Sequence, residues 1–189
     1  LAFMMSNAIR VKVFAAEEGS KNHEAKIIIQ SVSSPGTTVA EYNYETLEEA
    51  FLMLPTKEAE HNPKGTGGNI TVTIQVLKDS EVEKTLVANS NKSNFMLDVN
   101  GCNITSSADP VFKAGQMTFV SNSPKTACSI VQKNVKEVST EAPNTIFYAQ
   151  MGTTMFNINA ENLTVWDDTG TAVYINSMNQ SIINGTFLG

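Results

Sequence analysis

Arginine is nearly missing from this chain: Arg10 is the only one in 189 residues. Bidentate recognition of phosphates and carboxylates relies on guanidinium groups, so that chemistry has no donor after residue 10. Lysine and arginine together number 13 against 19 acidic residues, giving a net charge of −6 and a pI near 4.9. An acidic surface repels phosphates, which removes nucleic acid and anionic membranes from the expected partners. Histidine is almost as scarce, and His23 and His61 lie far apart in polar surroundings, so no histidine-based zinc site or catalytic triad is expected. The only cysteines are Cys102 and Cys128, with no C-x-x-C pattern; a disulfide scaffold is excluded. They read as two free thiols, with a single bridge between them as the alternative. No apolar run reaches the length of a membrane-spanning helix, and no membrane insertion is expected.

What is abundant is amide and hydroxyl. Asn and Thr each occur 19 times, inside as well as between the apolar runs. That makeup suits secreted β-proteins that turn often and present uncharged polar groups to water; drift in an AT-rich genome is the competing explanation. Residues 1–20 form a separate N-terminal segment. Val13-Phe14-Ala15-Ala16 before Glu17-Glu18 reads as the tail of a signal peptide, or Ile9–Phe14 as an alternating edge strand.

From residue 21 to 189 one domain is expected. Lys26–Val32 reads as a short buried strand closed by Ser33-Ser34-Pro35-Gly36. In Tyr44–Leu54 the apolar positions Leu47, Ala50, Phe51 and Leu54 share one helical face. Thr46 followed by Glu49 is a capping-box pattern, and Pro55 is expected to end the helix. Ile70–Leu77 alternates as a strand. Short apolar runs then recur with polar corners between them: Phe95-Met-Leu-Asp-Val-Asn-Gly-Cys-Asn-Ile-Thr105, and Met117-Thr-Phe-Val120 some 22 residues after its start. Rungs without intervening helices predict an all-β fold, a parallel solenoid of short stacked strands preceded by one N-terminal helix. The chain stops directly after a rung, so it is read as part of a longer protein.

The order of these segments resembles the N-terminal part of pectate-lyase-like right-handed parallel β-helix proteins, in particular the adhesin-type surface proteins of Gram-positive gut bacteria. The resemblance is carried by Leu97-Asp98-Val99-Asn100-Gly101, Gly115-Gln116-Met117-Thr118-Phe119, Asn162-Leu163-Thr164-Val165 and Ile183-Asn184-Gly185-Thr186-Phe187, and it covers about residues 44 to 189. It implies that the solenoid is a right-handed parallel β-helix (solenoid) with one N-terminal capping helix. The catalytic relatives of such a coil hold calcium on aspartates against uronate carboxylates, with a basic residue to take the proton.

Against that template Asp79, Asp98, Asp109 and the pair Asp167-Asp168 are the available carboxylates. Asp98 reads as a turn brace within the rung motif, together with Asn100 and Gly101, and Asp109 as a corner residue before Pro110. Asp167-Asp168 is the candidate for calcium or acid–base chemistry, against ordinary turn chemistry in Asp-Asp-Thr-Gly. No other cofactor is expected. Trp166, beside that pair, is the candidate ligand contact, so Trp166, Asp167 and Asp168 form the expected binding site. Tyr148, Tyr174, Phe147 and Phe156 are either further members of an aromatic platform or inward core residues. Six Asn-x-Ser/Thr sequons occur, at Asn69, Asn91, Asn103, Asn162, Asn179 and Asn184; Asn103, Asn162 and Asn184 border strands at similar places and are expected to stack along the coil.

These residues predict a non-enzymatic, secreted or cell-surface module of adhesin type that presents a binding face to a host or cell-surface glycan or protein. Recognition is expected in the Lys133–Asn144 loop and on the outward polar face. The alternatives are the N-terminal part of a polysaccharide lyase or glycoside hydrolase, and a phage or virus fibre. Oligomeric state is left open.

Overall fold

In the computed structural model residues 22–63, 69–89, 93–168, 170–176 and 181–188 are described; residues 1–20, with their two readings as leader or edge strand, lie outside them. The first described element is a hairpin. β1 (Ala25–Ser31) pairs antiparallel with β2 (Thr38–Tyr44). Pro35 and Gly36 form its turn: Thr37 N–H donates to the Ser34 carbonyl at 3.0 Å and Gly36 takes φ +83°, the geometry that asks for glycine at the third turn position. Helix α1 (Leu47–His61) follows.

Beyond the helix come β3 (Ile70–Val76), β4 (Ser80–Val82), β5 (Leu86–Val87), β6 (Asn94–Asp98), β7 (Ile104–Ser106), β8 (Phe112–Lys113) and β9 (Met117–Ser121). They are followed by β10 (Cys128–Gln132), β11 (Thr145–Ala149), β12 (Met155–Asp167), β13 (Thr171–Ile175) and β14 (Ser181–Leu188). Ten strands make one sheet in the order β2-β1-β3-β6-β9-β12-β10-β7-β4, with β14 also on β12; four make a second, β13-β11-β8-β5. β1 is antiparallel to both β2 and β3, and the pairings beyond β3 are parallel.

This corrects the expected fold class. The molecule is a mixed α/β fold, with a ten-stranded sheet of antiparallel and parallel pairs, a four-stranded parallel sheet and one helix, not an all-β parallel β-helix. Two features account for the difference. The segment after Gly36, in which Ala40, Tyr42 and Tyr44 alternate inward, adds an antiparallel hairpin where only one strand was legible. And the runs Met155–Ile158 and Leu163–Trp166, expected as separate rungs, are one strand of 13 residues. The first part of β12 pairs with β9 and its last part with β10, so a single long strand fuses two ladders into one sheet.

The helix starts where its sequence says. Thr46 Oγ1 accepts the Glu49 N–H at 3.1 Å, and Glu49 reaches back to the Glu45 N–H at 3.3 Å, satisfying donors that a helix start otherwise leaves bare. It does not stop at Pro55, which lies inside it. The inward stripe Leu47, Ala50, Phe51, Leu54 continues to Glu58, and the end is set by Asn62, whose N–H donates to the Glu58 carbonyl at 2.8 Å. From the first turn, Glu48 Oε1 accepts the N–H groups of Glu83 and Lys84 at 2.7 and 2.8 Å, fixing the corner between β4 and β5 to the helix.

Alternation along each strand sends one set of side chains inward. Phe51 of α1, Phe95 of β6, Phe112 of β8, Phe147 of β11 and Phe156 of β12 meet there in sequence, with ring centroids 5.4–6.2 Å apart. Phe112 touches three of the others, Phe51, Phe95 and Phe147. Phe112→Ala is therefore expected to cost about 3–5 kcal/mol, read as a lower urea midpoint with an unchanged slope.

Tyr44, at the end of β2, is buried, and its hydroxyl has no hydrogen-bond partner among the described residues. Burial, aided by the negative charge of Glu49, pushes its pKa up to about 12, whereas an unfolded tyrosine titrates near ~10. The folded state thus prefers the neutral phenol. The resulting contribution to stability is complete below ~10 and is lost as pH climbs toward about 12. Tyr44→Phe should be no less stable than wild type at neutral pH and should lose less stability across that alkaline window, measured by urea unfolding at a series of pH values.

Candidate functional site

The parallel strands β4, β7, β10 and the last part of β12, with β14 beside it, share a register that lines their outward side chains into columns. Glu81 is level with Thr105, Thr105 with Val131, Val131 with Trp166, and Trp166 with Leu188. One alternation earlier along the strands, Ser129, Thr164 and Thr186 are level, and Asn103 continues that column, its Oδ1 accepting both the N–H and the hydroxyl of Ser129 at 3.0 Å. Neighbours within a column are ~4.8 Å apart and the two columns ~6.7 Å apart along the strands. The result is a strip of hydroxyls and an amide beside a strip that begins with Glu81 and Thr105 and becomes apolar at Val131, Trp166 and Leu188. Trp166, 45% exposed, stands in the apolar part between half-buried Val131 and exposed Leu188.

The three expected ligand residues separate here. Alternation in β12 points Leu163, Val165 and Asp167 inward and leaves Thr164 and Trp166 outward; Asp168 follows, exposed. Asp167 is 1% exposed, so the consecutive carboxylates face opposite sides and do not converge on a calcium ion. Among the described residues no group of three or more His, Cys, Asp or Glu side chains comes together to hold a metal. On this face Trp166 and Asp168 remain, and Val131, Leu188, Ser129, Thr164 and Thr186 join them. Those five are placed by strand register, which no single segment of sequence announces.

The corner residues form hydrogen-bonded braces. Asp98 accepts the N–H groups of Asn100 at 3.1 Å and Ser123 at 2.9 Å, and the Gln75 amide at 2.9 Å. Asn100 and Gly101 both have positive φ (50° and 74°), and a Cβ on Gly101 would collide with Thr126. Gly101 N–H donates to Asn122 Oδ1 at 2.7 Å, and Asn100 Nδ2 to the Val76 carbonyl at 3.0 Å. Asp79 accepts the backbone and side-chain N–H groups of Asn103 at 2.7 and 3.2 Å, and these bonds to the charged form pull its pKa below the usual carboxylate value.

The expected stack of Asn103, Asn162 and Asn184 is not formed. Asn103 bonds Asp79 and Ser129, Asn162 donates to the Lys125 carbonyl at 2.7 Å, and Asn184 donates to Asn159 at 3.2 Å. The three lie in different columns: Asn103 joins Ser129, Thr164 and Thr186, Asn184 is level with Asn159, and Asn162 precedes the Cys128–Leu163 pair. The sequons at Asn91 and Asn179 lie outside the described residues.

The segment Lys133–Asn144, expected to project freely, is strapped down. Asp109 Oδ2 accepts the N–H groups of Ser139 and Asn144 at 2.8 Å, and Oδ1 that of Thr145 at 2.9 Å. Lys136 pairs with Glu83 at 3.1 Å and Glu141 with Lys113 at 2.8 Å. Buried Gln132 closes the base, its amide donating to the Ala108 carbonyl at 2.6 Å.

The five aromatic residues do not assemble into one platform. Phe147 and Phe156 are core residues, and Tyr148 and Tyr174 stack on each other at 5.5 Å on the four-stranded sheet, away from the strand that carries Trp166. Cys102 and Cys128 are free thiols, and burial raises both their pKa values. No helix among the described residues is long and apolar enough to cross a membrane.

Because one carboxylate holds two backbone N–H groups of the strapped segment and that of Thr145 directly after it, Asp109→Ala should release it. Trypsin cleavage after Lys133 or Lys136 under native conditions should accelerate at least about tenfold, the equivalent of losing one charge-assisted hydrogen bond, while Trp166 fluorescence stays as in wild type. Family models, curated proteins and solved structures contain no match to this chain.

Proposed function

We propose that the chain is a non-enzymatic extracellular binding module whose outward strip around Trp166 holds a neutral glycan, in keeping with the adhesin-type resemblance. The observation that carries the reading is the half-exposed indole standing between Val131 and Leu188, at the apolar end of its column, beside a column of hydroxyls. Sugar rings have an apolar C–H face and a hydroxyl rim, and aromatic side chains supply rigid contact area for the first while Ser, Thr and Asn hydrogen-bond the second. The columns carry no lysine or arginine, and Glu81 at their edge with Asp168 beyond Trp166 disfavours uronates and other anions. The hydroxyl in that column closest to a serine nucleophile, Ser129, bonds an amide oxygen, not a base. The amide- and hydroxyl-rich, arginine-poor composition supports an extracellular setting.

Trp166 is the sole tryptophan in the sequence, which makes intrinsic fluorescence a direct report from the site. Titration with neutral hexasaccharides (gluco-, manno-, xylo- and chito-oligosaccharides) should shift or quench the emission for at least one of them. By isothermal calorimetry Trp166→Ala should weaken that ligand at least about tenfold, the scale of one lost aromatic contact, with Trp166→Phe intermediate. Polygalacturonate with calcium should give no rise in unsaturated-uronate absorbance. Silence with every neutral oligosaccharide, or full affinity in Trp166→Ala, refutes the proposal.

A further inference from the structure

A concavity lies on another part of the surface, where β5, β8 and β11 end. It holds about 340 Å³ and is walled by Asn89, Gly115, Gln116, Gln150, Met151 and Thr153. Register explains how it arises. Val87 is level with Lys113, Lys113 with Tyr148 and Tyr148 with Tyr174. The ladder continues past the strand ends, since Ala88 N–H donates to the Lys113 carbonyl at 3.0 Å, Ala114 to Tyr148 at 2.9 Å and Asn176 to Ala149 at 2.7 Å. Just past these strand ends the chain turns, Asn89 N–H donating back to the Val87 carbonyl at 2.9 Å and Thr153 N–H to the Gln150 carbonyl at 3.0 Å, and Gly115 lines the recess together with the two carboxamide residues Asn89 and Gln150. Gln116 lines it as well. Its backbone carbonyl accepts the N–H groups of Thr154 and Met155 and the Thr154 hydroxyl, at 2.7, 3.1 and 2.7 Å, so the far wall is held in place before any ligand arrives.

Among the described residues the side-chain amides of Asn89, Gln116 and Gln150 take part in no hydrogen bond, and none of those that line the recess is charged. Each carboxamide offers a donor and an acceptor side by side, the pairing that two neighbouring hydroxyls of a sugar satisfy. Exposed Met151 supplies an apolar, adaptable wall for the ring's C–H face. The volume falls at the small end of the ~300–1,000 Å³ common for ligand sites, which suits one small molecule and not a polymer strand. We infer that this recess is a second, independent binding site for a single neutral sugar ring, gripped by the carboxamides of Asn89, Gln116 and Gln150.

The test uses the full chain, labelled with ¹⁵N, and a panel of methyl glycosides (glucoside, galactoside, mannoside and N-acetylglucosaminide). The side-chain amide resonances of Asn89, Gln116 and Gln150, assigned by single substitution, should shift with at least one glycoside. Gln150→Leu, which keeps the volume and removes the amide, should weaken that titration about tenfold, and Gln116→Leu should do the same. Both positions are solvent-accessible, and unchanged thermal melting verifies the fold of each variant. Trp166→Ala should titrate like wild type, which separates this site from the indole strip: failure of one leaves the other standing. No shift with any glycoside, wild-type titration in both leucine variants, or tighter binding of sodium galacturonate than of every neutral glycoside overturns the assignment.

Discussion

The contact on which the rest of this molecule depends is the inward phenylalanine chain. Short strands such as β5 and β8, two residues each, cannot hold themselves in a sheet by backbone bonds alone; an isolated pair of that length is not stable in water. Phe112 anchors β8 by touching rings from the helix, from β6 and from β11. Because that ring is shared, the position of the four-stranded sheet, of the ten-stranded sheet and of α1 are not independent choices. Glu48 adds a polar tie in the same place, turning the helix start into a clamp on the β4–β5 corner.

With the interior filled by ring and aliphatic contacts, the cost that remains lies at the corners, where strands end and leave N–H and C=O groups unpaired. Asp98, Asp109 and Asp79 each gather two or more backbone or amide donors. That accounts for where the acidic residues are spent. Asp79, Asp98 and Asp109 are occupied as acceptors for the chain itself, and Asp167 is drawn inward by the period of β12. The segment Lys133–Asn144 is ordered by the same device, so its shape follows from Asp109, outside the segment.

Local chemistry was legible in the sequence and long-range pairing was not. Thr46 and Glu49 announced the helix start, the Asn100-Gly101 pair announced its turn, and the alternation of Ile70–Val76 announced β3, because each depends on residues a few positions apart. Pro55 misled, since a missing N–H marks a helix end only if nothing further along keeps the stripe inward, and Glu58 with its Asn62 cap does so. The antiparallel hairpin was hidden because β2 buries so little, its outer residues being exposed. The continuity of β12 was hidden because Asn159, Glu161 and Asn162 look like a corner, yet they are the exposed residues of an extended strand. Trp166 could be singled out from sequence as a candidate contact, but Val131 and Leu188, which flank it, come from strands 35 and 22 residues away in chain position and are visible only through register.

That register also bears on what an outward face can recognise. Equivalent positions recur every ~4.8 Å across parallel strands, so Asn103, Ser129, Thr164 and Thr186 offer similar polar groups at even intervals. An even row by itself would let a repeating polymer slide, each step exchanging one set of hydrogen bonds for an equal one. Trp166 breaks the translation: its indole occurs once, and only one ring of a bound chain can lie against it. On the proposed reading the hydroxyl column supplies affinity spread over several residues and the indole fixes the register. The pairing of an even polar row with a single aromatic stop is a property of stacked parallel strands, where outward positions are free to vary because the inward ones carry the fold.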